Sequence, residues 1–98
     1  MRTKIVVDQF GIETAVKLAQ IANETKTDTP DIVIENIDPI DLTSVIKYAK
    51  AVVTSKFYEF KVKERHTDIM GKTVFSLTIS HVNCISGDGN AVYFEFVK

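Results

Sequence analysis

This chain of 98 residues has no tryptophan, one cysteine, four glycines and two prolines. The lone Cys84 cannot close an internal disulfide, so packing must hold the core, and a reducing, cytoplasmic compartment is the expectation. No apolar run nears the roughly 18 residues that cross a bilayer. Near the N-terminus only Ile5-Val6-Val7 stand together, too few for a secretion signal, and no membrane association is expected. A net charge of −1 removes the basic signature of most nucleic-acid binders. The glycine patterns of dinucleotide and P-loop sites are also missing.

What is present is ordinary globular composition, with 45% hydrophobic and 26% charged residues, enough for a single domain spanning 1–98. Lys4–Asp8 is apolar and β-branched, which favours a strand. Ile12, Ala15, Val16, Ala19 and Ala22, with Leu18 beside them, follow helical spacing and stop before Pro30. Asp31–Glu35 reads as a second strand. A second helix should start at Asp38-Pro39, with Asp38 as cap and Asp41 in the first turn, and carry Leu42, Val45, Ile46, Ala49, Val52 and Val53 on one face.

The last third alternates with period two. Tyr58, Phe60 and Val62 oppose Glu59, Lys61 and Lys63. Phe75, Leu77 and Ile79 oppose Ser76, Thr78 and Ser80. Val92, Phe94 and Phe96 oppose Tyr93 and Glu95. Gly71 marks one turn and Ser86-Gly87-Asp88-Gly89-Asn90 another. The expected fold is α+β, ordered β-α-β-α-β-β-β, with two helices on one face of a mixed or antiparallel sheet ending in a three-stranded meander.

Chemistry-bearing groups are sparse. Asp88 sits in a calcium-like fragment but lacks the spaced carboxylates and final glutamate of such a loop, so a hairpin turn is the simpler reading. His66, Asp68, His81 and Cys84 do not form paired metal-ligand motifs. No nucleophile, acid–base pair or phosphate cradle can be named. The expectation is a protein that is not an enzyme and takes no cofactor.

Charge is unevenly placed. Asp31, Glu35, Asp38 and Asp41 lie in an acidic segment, whereas Lys61, Lys63, Arg65 and Lys72 form a basic one. The first is a candidate acidic contact surface. Lys61, Lys63 and Arg65, with Tyr93 and Glu95, make a candidate interaction surface on a sheet edge or open face. Binding another protein is the leading expectation, with homo-oligomerisation through a sheet edge or face as one form of it. Nucleic-acid binding through residues 61–72 is a weaker alternative, because the rings and cations fall mostly on opposite faces.

Residues 4–63 also show the order strand, Gly11-Ile12, alanine/leucine helix, strand, then Leu42-Thr43-Ser44-Val45-Ile46 and an extended Tyr58–Val62. This order resembles the histidine-containing phosphocarrier (HPr) family. The resemblance implies a phosphorylated histidine soon after Gly11-Ile12 and a regulatory serine near Ser44. Here that stretch reads Glu13-Thr14-Ala15, and no histidine precedes His66. The family's closing helix and its hairpin between the two helices are also missing from the pattern. What the resemblance leaves is a catalytically inactive, HPr-like regulatory domain with Ser44 as its candidate regulatory residue.

Overall fold

The computed structural model describes residues 3–7, 10–22, 31–53, 58–66, 71–82 and 91–96. Cys84, the Ser86–Asn90 turn and Asp68 lie outside them, as do the expectations that rest on them.

Seven elements follow the expected order: β1 (Thr3–Val7), α1 (Ile12–Ala22), β2 (Ile32–Ile37), α2 (Pro39–Val52), β3 (Tyr58–His66), β4 (Thr73–His81) and β5 (Val92–Phe96). The fold is α+β, with a five-stranded mixed sheet ordered β1-β5-β2-β4-β3. β1, β5 and β2 run parallel, and β4 is antiparallel to both β2 and β3.

The placement of β5 differs from a meander. β3 and β4 form the expected antiparallel pair, but β5 leaves β4 and enters between β1 and β2. The free side of β4 is already occupied, with Ile79 opposite Ile32 and Leu77 opposite Ile34. β5 instead sets Phe94 beside both Ile5 and Ile34, where it is fully buried. A strand with two large rings on one face gains most from a central slot, which outweighs the usual tendency of consecutive strands to pair.

Pairing register assigns the two sheet faces. Ile32, Ile34, Ile37, Leu77, Ile79, Phe94 and Phe96 share one face and form the core with Leu18, Val45, Ala49 and Val53. α2 lies against β4 and β2, and α1 against β2 and α2. Phe10, just after β1, closes the end of this layer. Its ring meets Tyr48 edge-on at 4.9 Å and stacks on Phe96 at 6.1 Å.

Two local features preserve this arrangement. In β2 the register shifts between Ile34 and Ile37, so one extra residue stands opposite β4. Asn36 absorbs it at φ 58°, a left-handed conformation that asparagine tolerates better than most residues. The bulge returns Ile37 to the core face after two polar residues. Gly71, at φ 62°, adopts the same region just before β4.

The helix starts depart from expectation. α1 buries Thr14, Ala15 and Leu18, leaving Ile12 and Val16 exposed, so its buried stripe is rotated from the one the alanines and valine suggest. Leu18 is the largest apolar side chain of the helix interior, and orienting it inward turns Ile12 and Val16 away. Asp38 precedes α2 but makes no side-chain cap hydrogen bond. Its carboxylate instead meets Lys72 Nζ at 3.1 Å, while its carbonyl accepts from the Asp41 and Leu42 amides. Pro39 fills the first turn as expected.

Candidate functional site

The helices occupy one face of the sheet. On the opposite face the register places Lys4 and Val6 of β1, Tyr93 and Glu95 of β5, Val33 and Glu35 of β2, Val74, Ser76, Thr78 and Ser80 of β4, and Glu59, Lys61, Lys63 and Arg65 of β3. Among the described residues, no helix covers this face. All five residues of the expected interaction surface therefore share it: Lys61, Lys63 and Arg65 on the edge strand, Tyr93 and Glu95 on β5, with β2 and β4 between.

A polar band crosses the face. Lys4 Nζ lies 2.9 Å from Glu95 Oε2, and Asn36 Nδ2 donates to Glu95 Oε1 at 2.8 Å. Glu95 and Glu35 are register partners on neighbouring strands. On the far side Arg65 spans β4 to reach within 3.6 Å of Glu35. Val74 and Ser76, on the strand it spans, are buried although no helix covers them. The hydrogen bond from Lys4 to Glu95 holds the Lys4 ammonium above its usual pKa of 10.5; desolvation opposes this, and the charges of Glu95 and Glu35 add to it. Two carboxylates side by side are thus flanked by a cation at each end, and the band consumes most of its own charge.

The acidic and basic segments meet inside the chain. Glu35 pairs with Arg65 and Asp38 with Lys72. The four acidic residues do not form one surface: Glu35 faces the uncovered side, whereas Asp41 stands on α2, on the opposite side. Asp31 begins the segment, and its carbonyl accepts from the Val92 amide at 2.7 Å. Ser44 is exposed on α2 and lines a cleft of about 220 Å³ with Phe10, Asp41, Val45 and Tyr48.

β3 differs from the other strands. Tyr58 is buried and Phe60 half-buried, the latter under the Lys50 ammonium at 5.9 Å. From Lys61 to His66 every residue is exposed, including Val62, Glu64 and His66 on the helix side. α2 stops covering the sheet at Phe60. Sequence alternation predicts Val62 as core; it is 46% exposed, with no helix of the described residues packed above it. Among the described residues the strand's only sheet neighbour is β4. Lys61 and Lys63 have no ion pair among the described residues. The uncovered apolar residue was missed because period-two alternation reports which face a side chain takes, not how far a helix reaches over that face.

Among the described residues, no cluster of three or more His, Cys, Asp or Glu side chains is placed to hold a metal ion. His66 lies near the exposed Glu64 and the half-buried Thr73. No helix of the described residues is long and apolar enough to cross a membrane. No protein family, curated protein or solved structure matches this chain.

Proposed function

We propose that this protein is a non-catalytic binding domain that acts in the cytoplasm by docking another protein on the uncovered sheet face and the outer half of β3. The observation that carries this reading is the six-residue stretch Lys61–His66, exposed on both faces at a sheet edge. An edge strand offers unpaired N–H and C=O groups, the commonest geometry for strand-based protein recognition. Lys61 and Lys63 supply charge for steering, and neither is committed to an ion pair within the described fold.

A photo-crosslinking comparison tests it. A crosslinker replaces Lys61 or Tyr93 on the uncovered face, or Lys47 on α2, in lysate from the source cell. The expected result is a discrete protein adduct from the first two positions and little from Lys47. Equal labelling from all three positions, or no adduct from Lys61 and Tyr93, overturns the reading.

A further inference from the structure

The binding reading leaves the partner's chemistry open, and the side chains of β3 narrow it. A strand added at an edge places each residue beside one residue of the host strand, with both side chains on the same face and their Cβ atoms about 4.5–5.5 Å apart. On the uncovered face an incoming strand would run beside Lys61, Lys63 and Arg65 in succession. On the other face it would run beside Phe60, Val62 and Glu64. The first row demands negative charge at every second residue. The second demands apolar side chains at the interleaved positions beside Phe60 and Val62, then a basic or neutral one beside Glu64.

A second copy of the chain does not meet this demand. Antiparallel pairing of β3 with itself about Val62 sets Lys61 against Lys63. Pairing about Lys63 sets Lys61 against Arg65 and Lys63 against its own copy. Every register centred within residues 61–65 places cation against cation, which is destabilising in directly opposed pairs; the register centred on Phe60, which sets Lys61 against Glu59, spans only residues 58–62 of β3 and leaves most of the exposed stretch unused. Lysines on an edge strand guard against indiscriminate pairing, and the same repulsion selects for an acidic strand. Arg65 is engaged by Glu35 at 3.6 Å, but its side chain is 55% exposed and can face an incoming strand as well.

We propose, building on the binding function above, that the outer edge of β3 pairs with an extended segment of a partner protein in which acidic and apolar residues alternate, the acidic ones beside Lys61, Lys63 and Arg65 and the apolar ones beside Phe60 and Val62. β3 gains a second hydrogen-bonded neighbour, Val62 gains an apolar cover, and both lysines gain counter-charges. Binding of this kind weakens as salt rises, because the opposed charges stay near the surface.

The test uses the full chain and a synthetic nonapeptide, Thr-Glu-Lys-Glu-Val-Glu-Val-Lys-Thr, written to lie antiparallel to the nine residues of β3. The control peptide has every Glu and Lys exchanged. Backbone amide shifts map the contact, and their concentration dependence gives Kd. The acidic peptide is expected to shift the amides of Lys61–His66 and not those of β1. The exchanged peptide should bind about tenfold or more weakly, the sum expected of several cross-strand charge pairs. In the Lys61→Glu/Lys63→Glu protein the preference should largely vanish, because positions 61 and 63 then oppose the acidic peptide while Glu59, Glu64 and Arg65 still favour it. N-methylation of the acidic peptide at alternate residues should abolish binding in one phase and spare it in the other, because only one set of amides faces β3.

Equal affinity for the two peptides, shifts centred on β1 or on the Phe10–Tyr48 cleft, no binding at millimolar peptide, or a β3-mediated dimer in sedimentation would each overturn the inference. If crosslinks from Lys61 and Tyr93 persist while the acidic peptide fails, only the strand chemistry is wrong. If those crosslinks are absent too, the binding function falls with it.

Discussion

β2 and β3 are both strands of one sheet, yet their surroundings are opposite. β2 has strands on both sides and buries Ile32, Ile34 and Ile37 completely. β3 is longer, has one neighbour among the described strands, and buries only Tyr58. Hydrophobic burial scales with the apolar area removed from water, so β2 contributes heavily to stability and the outer half of β3 contributes little. A strand kept extended without core contacts is free to spend its side chains and backbone groups on another molecule.

The contrast is sharpest under truncation. Ile34→Ala should cost about 2–5 kcal/mol, because it opens a cavity beneath a fully buried side chain, whereas Val62→Ala should cost less than about 1 kcal/mol. Urea denaturation of the two variants measures both. A comparable loss at Val62 would mean that β3 is part of the core and would break the comparison.

The bulge in β2 is the next point to probe. Asn36→Val forces a β-branched residue into the left-handed region and removes the hydrogen bond to Glu95, together about 1–3 kcal/mol. Asn36→Gly should relieve the backbone strain but still lose the hydrogen bond, and so fall between the variant and the native protein. If valine is tolerated as well as glycine in the same unfolding experiment, the bulge is not what holds Ile37 on the core face.

The smallest expected effect is electrostatic. Lys4 has its pKa raised in the fold by Glu95, so its contribution to stability is complete below the unfolded value near 10.5 and is lost as pH rises through the folded value. The native protein should therefore lose slightly more stability than Lys4→Met between neutral pH and the strongly alkaline range. Thermal unfolding of the pair across that range should show the two curves converging at high pH; parallel curves would contradict the ion pair's role.

Much of this architecture is readable in the residues themselves. The alternations Tyr58–Phe60, Phe75–Leu77–Ile79 and Val92–Phe94–Phe96 place strands and their core faces, and the stripe from Leu42 to Val53 places α2 with its buried side. Three things escape local pattern. Ile34-Glu35-Asn36-Ile37 breaks period two, and only a residue tolerant of positive φ signals that a bulge, not a strand end, follows. The phase of α1 depends on where one leucine finds space, which alanine spacing does not reveal. The slot of β5 depends on β2 having already taken the free side of β4, a non-local fact. At the candidate site, the residue types of Lys61, Lys63, Arg65, Tyr93 and Glu95 and their shared face are legible in the alternation. The internal pairing of Glu35 with Arg65 and of Asp38 with Lys72 is not, since it depends on strand order and on the reach of long side chains across a neighbouring strand.

The central claim, that β3 beyond Phe60 serves recognition and not stability, is tested most directly by Lys61→Glu/Lys63→Glu, measured for both unfolding free energy and protein crosslinking from Tyr93. The account predicts stability within about 0.5 kcal/mol of the native protein, as for exposed substitutions generally, together with loss of the crosslinked adduct. An adduct retained at native yield, or a fold that fails without the two lysines, would contradict it.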